Sequence, residues 1–299
     1  SKRVDFMISG LDEEGNEIPD GKSTAVALDV AAHEFTHLIL YHEGLGYSNG
    51  QENMILHEGL ADVFGIICKY RLEDYLLSEG EFNWYIGKDT GKAVRNAAYP
   101  QITQYNDVLN MDPFIPHNGG GVITKAAYLI AEGGIHNDKK IEGIGYSKLA
   151  GIFYSAMTDG YIVPQSSLKD FANYVVTVVN LFVDEQYSHS SIKDGEDVSY
   201  CYNDIDTIIK AFTSVELLLG PPDNFRMTDI DGLTVEFAWD GIDGINYGIY
   251  RNEIDSEYPP GKIVEATKSQ ITLDTLPGTY NYYVALIDGD GNRISDFSD

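Results

Sequence analysis

Apolar residues recur at intervals of three and four along the chain up to about residue 219, which is the spacing of one face of an α-helix. In the first such segment Leu28, Ala32 and Phe35 fall on one face, and Ser23 is a suitable N-cap for a helix that begins near it. The same spacing predicts further helices over residues 53–78, 121–133, 146–158, 166–184 and 202–218. This part of the chain is therefore predicted to be mainly α-helical.

The pattern changes at both ends of this helical part. Residues 1–22 alternate loosely and are interrupted by glycine and proline, which favours a short hairpin or an edge strand. After Gly220-Pro221-Pro222, strand-like runs at 233–237, 247–251, 271–273 and 280–285 alternate with turn residues, which is typical of a β-sandwich. We therefore predict a multidomain chain, with a short β segment over 1–22, a helical domain over 23–219 and an all-β sandwich over 220–299.

Composition excludes several function classes. The chain has 299 residues, with 47 acidic and 20 basic side chains and a formal net charge of −27. Such a surface repels DNA, RNA and anionic lipid, so no nucleic-acid partner is expected. No apolar run approaches the roughly 18–20 residues of a membrane-spanning helix. Two cysteines, Cys68 and Cys201, form neither a disulfide framework nor a cysteine-rich zinc site.

The strongest chemical signal is the segment His33-Glu34-Phe35-Thr36-His37. Histidines four residues apart on a helix project from one face, so both imidazoles can reach the same ion. Glu34 lies about 100° round the helix from His33, beside the ion, where a general base for a metal-activated water stands. The segment therefore predicts a zinc site with a base next to it, although an ordinary amphipathic helix can carry the same five residues.

A second segment, His57 to Gly65, supplies the further protein ligand that zinc requires. Glu58 and Asp62 share one helical face, so Glu58 can bind the metal while Asp62 hydrogen-bonds the far nitrogen of a ligand histidine. Because an acid and its partner arrive together on a second helix, we favour the zinc site over two unrelated amphipathic helices.

At these residues the chain resembles the thermolysin-like neutral metalloproteases, over roughly residues 20–218. The family's third zinc ligand lies in a Glu-x-x-x-Asp segment like that from Glu58 to Asp62. A third block also matches, from His117-Asn118-Gly119-Gly120-Gly121 to Ile130. The resemblance implies a thermolysin-like helical lobe that uses one zinc ion to hydrolyse internal peptide bonds.

The resemblance also implies the role of each residue of the site. These are the zinc ligands His33, His37 and Glu58, the catalytic residues Glu34, His117 and Tyr47, the orienting residues Asp62 and Asp112, and the substrate-binding residues Arg95, Val30, Ile86 and Val94. In the family, the equivalents of His117 and Tyr47 stabilise the oxyanion. The apolar pocket positions imply a preference for a large apolar residue on the leaving-amine side of the cut. The expected partner is a protein or peptide substrate, and the expected location is extracellular and bacterial.

One departure from the family concerns the part ahead of the zinc helix. Family members place a long β-rich lobe there, whereas 32 residues precede His33 here. Because that lobe helps to position substrate, either an upstream lobe or propeptide completes the protein or the chain works with an open cleft. The alternative function is a weak or inactive metalloprotease-like protein that binds peptide or extracellular matrix.

A second departure concerns calcium. Many relatives bind calcium beside the zinc helix through a cluster of carboxylates, and one of these positions matches Asp29. The others match Lys69, Asn83 and Lys88. Calcium takes about six to eight oxygen ligands, and an ammonium group opposes it. We therefore predict no calcium at this site, with Lys69 or Lys88 pairing with Asp29 instead.

A third departure is His57, which stands where relatives commonly have an asparagine. It can hydrogen-bond a zinc-binding histidine, or it can simply pack in the core. We do not expect it to bind zinc itself, because Glu58 matches the family and has Asp62 four residues later.

The sandwich resembles a fibronectin type III module over residues 221–299. The resemblance rests on Trp239, on Tyr250-Arg251 and on the run from Leu276 to Tyr280. Such modules are usually spacers or adhesion units in secreted multidomain proteins. A surface-binding protein whose sandwich does the binding therefore remains a further alternative.

Overall fold

The computed structural model describes residues 27–46, 50–76, 82–90, 94–111 and 115–298. Four predictions fall outside these ranges, namely the β segment over 1–22, the N-cap at Ser23, Tyr47 and Asp112. Among the described residues, no helix combines the length and the apolar character that a membrane crossing requires.

The predicted order of a helical domain followed by an all-β sandwich is confirmed. The helices are α1 (Leu28–His42), α2 (Gln51–Leu76), α3 (Tyr105–Val108), α4 (Pro116–Gly119), α5 (Gly121–Glu132), α6 (Tyr146–Thr158), α7 (Leu168–Asp184) and α8 (Tyr202–Ser214). Three two-stranded antiparallel hairpins lie between them: β1 (Tyr85–Ile86) with β2 (Arg95–Asn96), β3 (Gly133–His136) with β4 (Lys139–Glu142), and β5 (Ser188–Ser190) with β6 (Asp197–Ser199).

Several helix ends differ from the prediction, and three of them have a clear local reason. The first described helix begins at Leu28, because Ala27 has an extended backbone, and the expected N-cap Ser23 lies outside the described residues. The helix expected from residue 166 begins at Leu168, since Ser167 and Asp170 form a reciprocal capping box ahead of it. The last helix ends at Ser214 and not at residue 218, because Glu216 takes a left-handed conformation with φ +65°.

The long helix α2 is the centre of the helical domain and packs against α1, α4, α5, α6 and α7. Every residue from Ile55 to Val63 is buried, so this stretch has no face towards solvent. Three of these buried residues, His57, Glu58 and Asp62, are polar or charged. A buried charge is costly unless it is paired, so each of them needs partners from the surrounding helices.

Two glycines of α2 allow its neighbours to come unusually close. A Cβ atom at Gly65 would lie 2.7 Å from the carbonyl oxygen of Asp29 in α1. On another face, a Cβ at Gly59 would lie 2.8 Å from the Cβ of Ile123 and 3.0 Å from the carbonyl oxygen of Gly120. These positions need glycine because a larger residue would force α1 or α5 away from α2.

The sandwich consists of two three-stranded antiparallel sheets. Their strands are β7 (Arg226–Asp231), β8 (Thr234–Ala238), β9 (Asn246–Glu253), β10 (Gly261–Ala266), β11 (Gln270–Asp274) and β12 (Tyr280–Ile287). One sheet has the order β11-β8-β7 and the other the order β10-β9-β12. Side chains such as Phe237, Trp239 and Ile249 fill the space between them. The four predicted runs correspond to β8, β9, β11 and β12, whereas β7 and β10 were not predicted.

The last described segment of the sandwich holds it against the helical domain. Arg293 pairs with Asp206 in α8, and Lys139 at the start of β4 lies 3.0 Å from a carboxylate oxygen of Asp296. Between these two ion pairs, Ile294 packs against the cores of both domains. The two domains are thus joined by a small, mixed polar and apolar contact.

We expect Gly65→Ala to destabilise the chain. In a helix interior alanine is normally favoured over glycine, but here its methyl group would overlap the Asp29 carbonyl, and overpacking of this kind costs about 1–3 kcal/mol. The free energy of unfolding, from urea titrations followed by circular dichroism, measures the effect. Gly220→Ala is the control, because no atom lies within 4 Å of its added methyl group. Equal stability of the two variants would contradict the close-packing argument.

Candidate metal centre and active site

The helices α1 and α2 bring three metal-binding side chains to one point. Asp29 near the start of α1 lies against Gly65, and His33, one turn later, contacts Asp62, which comes earlier in α2. The two helices therefore run antiparallel. This arrangement places His33 and His37 of α1 opposite Glu58 of α2. One ligand atom from each of these three residues lies within 4.8 Å of the other two.

The separations of these atoms fit a zinc ion. His33 Nε2 lies 3.1 Å from His37 Nε2 and 3.3 Å from Glu58 Oε2, and His37 Nε2 lies 3.8 Å from Glu58 Oε1. Zinc bonds of about 2.0–2.1 Å in a tetrahedral arrangement separate ligand atoms by roughly 3.3 Å. Two imidazoles and one carboxylate also form a donor set that occurs in catalytic zinc sites. The residues present therefore fit the metal that the sequence predicts.

His33 is held by a buried carboxylate on α2. Its Nδ1 lies 2.7 Å from Asp62 Oδ1, and both side chains are almost completely buried. Burial opposes the charged imidazolium, but hydrogen bonds to Asp62 and Glu58 outweigh it and raise the pKa of His33 to about 9. Without a metal, this site therefore holds a proton at neutral pH, so it stabilises positive charge at the point where the ligands meet.

Asp62 has a second partner, Arg95 of β2. Arg95 Nε lies 2.6 Å from Asp62 Oδ2 and Arg95 Nη2 lies 2.6 Å from Asp62 Oδ1, which is a bidentate pair. Burial opposes ionisation of Asp62, but its bonds with Arg95 and His33 outweigh it and lower the pKa of this carboxyl. Asp62 is thus an anion that orients His33, while Arg95 balances its charge.

His37 is held by a different kind of group, the imidazole of His57. The two Nδ1 atoms are 2.7 Å apart, and His57 Nε2 lies 2.9 Å from the carbonyl oxygen of Leu45. Burial lowers the pKa of His37 to about 4 and also lowers the pKa of His57. Both rings are therefore neutral at pH 7. Of the two possibilities left open by the sequence, contact with a zinc-binding histidine is the one that the structure shows.

His117, just inside the short helix α4, also reaches the centre. Its Nε2 lies 2.9 Å from Glu58 Oε2, and its ring stacks on that of His33 with a centroid separation of 6.1 Å. Burial opposes ionisation of Glu58, but hydrogen bonds from His117 and His33 hold the pKa of Glu58 well below its usual range. The His117 side chain is 45% exposed, so it lies at the open side of the centre.

Glu34 is half-buried on α1, beside His33 in the sequence. Tyr47 and Asp112, which the family resemblance places in the site, lie outside the described residues. The structure thus brings together the three expected metal ligands with Asp62, Arg95 and His117.

A cavity of about 290 Å³ opens beside this centre. Asp62, Val94, Arg95 and His117 line one part of it, and Asn96, Gln101 and Asn118 line another. Of the three predicted apolar pocket residues, Val94 is exposed, Val30 is half-buried and Ile86 is fully buried. The side chains of Val30 and Val94 both lie against the turn at Gly87.

The carboxylate of Asp29, one turn before His33, has an ammonium partner. Lys69 Nζ lies 3.3 Å from Asp29 Oδ2 and 3.0 Å from the carbonyl oxygen of Tyr85, and the backbone N–H of Gly87 also donates to Asp29 Oδ2. Asp29 and Lys69 are both buried. The predicted pairing of Asp29 is therefore confirmed, and Lys69 is the partner. This ion pair ties α1 and α2 to the β1–β2 hairpin.

Two contacts of the site were missed by sequence analysis. The first is the pair between Arg95 and Asp62, since Arg95 was assigned to substrate alone. A carboxylate on a fully buried stretch of helix needs a positively charged partner, and this requirement could have predicted that Asp62 pairs with an arginine or lysine. The second is the bond from His57 to Leu45, which depends on how the loop after α1 folds.

Comparison with known proteins identifies relatives of the helical domain. Residues 44–197 match the family model described as thermolysin metallopeptidase, alpha-helical domain. Thermostable neutral protease NprT of Geobacillus stearothermophilus is 30% identical over 184 residues, covering 56% of this chain and 32% of that protein. Bacillolysin of Brevibacillus brevis is 36% identical over 149 residues, covering 48% of this chain and 27% of that protein. The chain thus spans about a third of the length of the curated relatives it matches.

The sandwich has its own comparison among solved structures. The solution structure of the fibronectin type-III domain of human fibronectin type III domain containing protein 3 matches with 19% sequence identity and a TM-score of 0.23. The match covers 27% of this chain and 84% of that chain.

We expect the metal-free chain to lose stability as the pH rises from 7 to 9. The pKa of His33 is about 9 in the folded chain and near 6.5 when unfolded, so the protonated site stabilises the fold below pH 6.5 and this contribution disappears through pH 9. The full loss is on the order of 3 kcal/mol. Urea titrations in the presence of a chelator measure it.

The zinc-loaded chain is the control for this experiment. Its metal replaces the proton on His33, so the same loss should not occur. The pKa of Cys68 is also raised by burial, but this thiol contributes equally to both forms. A metal-free chain whose stability stays constant between pH 7 and 9 would contradict the assignment of a proton to His33.

We expect Lys69→Met to be strongly destabilising, by about 3–5 kcal/mol, because it leaves the buried carboxylate of Asp29 without its cation. The free energy of unfolding measures this loss. Lys140→Met is the matched control, since the pair between Lys140 and Glu142 is 76% and 82% exposed, and its loss should cost less than about 1 kcal/mol. A cost for Lys69→Met as small as that of the control would show that the pair does not support the fold.

Proposed function

This chain belongs to the thermolysin metallopeptidase family through its α-helical domain, and from that membership we propose that it is a zinc-dependent endopeptidase. The observation that carries the proposal is the meeting of His33, His37 and Glu58 at one point, with Glu34 on the same helix as the two histidines. The chain spans about a third of the length of its curated relatives, so we propose the activity of the whole protein from this domain.

The metal would be held by His33, His37 and Glu58, and it would supply a water of lowered pKa together with polarisation of the scissile carbonyl. Glu34 takes a proton from the attacking water and returns it to the leaving amine. Its position next to His33, about 100° round the helix, places its carboxylate beside the ligands and not among them. Asp62 and Arg95 keep His33 in the orientation that the reaction needs.

The negative charge that develops on the carbonyl oxygen needs donors. We assign this role to His117, which lies at the open side of the centre, and to Tyr47, with Asp112 orienting His117. Donors of this kind are worth roughly 3–4 kcal/mol each in the transition state. The support for His117 is its position 2.9 Å from Glu58 Oε2, within reach of the reacting atoms.

The proposed substrate is a protein or peptide with a large apolar residue on the leaving-amine side of the cut. Val94 is exposed and lines the cavity beside the centre, Val30 lies with it against Gly87, and Ile86 is buried. Arg95 uses Nε and Nη2 for Asp62, and we assign Nη1 to the substrate carbonyl.

The setting of the enzyme is also part of the proposal. We propose that it is secreted by a bacterium and that an upstream lobe or propeptide contributes to substrate binding. At Asp29 we propose that no calcium binds, because the Lys69 ammonium already neutralises this carboxylate.

We expect Glu34→Gln to abolish most turnover while zinc binding persists, because the amide cannot accept the proton of the attacking water. The loss of kcat should be about 10²–10⁴-fold. Hydrolysis of an internally quenched peptide library measures turnover, and metal analysis of the dialysed chain measures zinc. Glu43→Gln, just past the end of α1, is the matched control and should leave both unchanged.

Two results would count against the proposal. Normal turnover by Glu34→Gln would remove Glu34 from the mechanism. One zinc per chain without turnover of any peptide would favour the alternative of an inactive, peptide-binding relative, or a requirement for an upstream lobe. Adding a separately prepared upstream lobe then distinguishes these two.

A further inference from the structure

We propose that His57 is a positioning residue for the zinc ligand His37, and that it joins this ligand to the loop between α1 and α2. The inference concerns the metal site on which the proposed function rests. His57 is fully buried on α2, directly before the ligand Glu58. Its Nδ1 contacts His37, and its Nε2 contacts the backbone carbonyl oxygen of Leu45.

The contact between His57 and the carbonyl oxygen of Leu45 determines which ring nitrogens of His57 and His37 carry a proton. A carbonyl oxygen only accepts hydrogen bonds, so His57 Nε2 must carry a proton in order to donate to Leu45. The other nitrogen of a neutral imidazole then has a lone pair, so His57 Nδ1 accepts. His37 Nδ1, at 2.7 Å, must therefore be the donor.

This order leaves His37 Nε2 as the nitrogen with a lone pair. That atom is the one that faces His33 Nε2 at 3.1 Å and Glu58 Oε1 at 3.8 Å. Only a nitrogen with a lone pair can bind a metal. The Leu45 carbonyl thus selects, through His57, the tautomer of His37 that is ready to bind zinc.

The two ligand histidines are held by groups of different charge. Asp62 is a carboxylate paired with Arg95, whereas His57 is an imidazole between His37 and the carbonyl oxygen of Leu45. A second carboxylate at position 57 would bring a further buried charge next to Glu58 without a cation to balance it. An imidazole orients His37 and adds no charge, which suits a completely buried position.

The contact with Leu45 gives His57 a second effect. Leu45 is fully buried, and its N–H donates to the carbonyl oxygen of Leu40 near the end of α1. Its carbonyl therefore holds His57 from a fixed part of the loop. One chain of hydrogen bonds therefore runs from the ligand His37 through His57 to Leu45, which is itself bonded to Leu40 of α1.

Two substitutions separate the two contacts. The amide of asparagine lies as far from Cβ as Nδ1 does, so His57→Asn keeps an acceptor for His37 and loses the donor to Leu45. The amide of glutamine lies as far as Nε2, so His57→Gln keeps the donor to Leu45 and loses the acceptor. Both variants remove the ring, and asparagine, which is one methylene shorter than glutamine, leaves the larger space in the core.

We expect His57→Asn to bind zinc nearly as tightly as the unchanged chain, and His57→Gln to bind it about 10–100-fold more weakly. Competition with a fluorescent chelator measures zinc affinity on the full chain, with thermal melts of the metal-free variants as the stability control. In addition, ¹⁵N chemical shifts of the unchanged, metal-free chain should show His37 protonated at Nδ1.

Three results would overturn the proposal. The first is that His57→Gln binds zinc as tightly as the unchanged chain. The second is that zinc affinity falls in both variants in proportion to their lost stability. The third is that His37 of the metal-free chain is protonated at Nε2. None of these measurements requires turnover. A chain that binds zinc but cleaves no peptide even after an upstream lobe is added therefore contradicts the proposed function and leaves the role of His57 standing.

Discussion

The close antiparallel packing of α1 against α2 is the constraint on which the rest of the site depends. The ligands come from both helices, and their atoms meet within 4.8 Å only because the two backbones approach at Gly65. On another face of α2, Gly59 lets the start of α5 come equally near, which carries His117 to Glu58. Two glycines on one helix thus set the distances between three elements, before any catalytic side chain is considered.

Burial on every side gives α2 a second task, which is to neutralise charge inside the domain. Each buried carboxylate around it has its own partner: Asp62 has Arg95, Asp29 has Lys69, and Glu58 has the histidines. The partners come from different elements, so each pair also ties a neighbour to α2. Electrostatic neutralisation and the positioning of the active site are therefore achieved by the same contacts.

Sequence patterns predicted those features that depend on local spacing. Six of the eight described helices, four of the six sandwich strands and the grouping of His33, His37 and Glu58 follow from periodicity and from two short motifs, whereas the one-turn helices α3 and α4 were not predicted. The patterns missed β7, because all of its residues are exposed and it has no buried alternation. They also missed the pair of Arg95 with Asp62, because the two residues are 33 positions apart and meet only after β2 packs beside α2. Contacts that depend on the path of a loop, such as His57 with Leu45, have no periodic signal.

The joint between the two domains has a consequence for how the molecule responds to its surroundings. Among the described residues it includes two partly exposed ion pairs, Arg293 with Asp206 and Lys139 with Asp296, and the apolar residue Ile294 between them. Dissolved salt weakens the attraction between partly exposed charges, whereas it leaves the packing of either core almost unchanged. A rise in ionic strength should therefore loosen the contact between the helical domain and the sandwich while both domains stay folded.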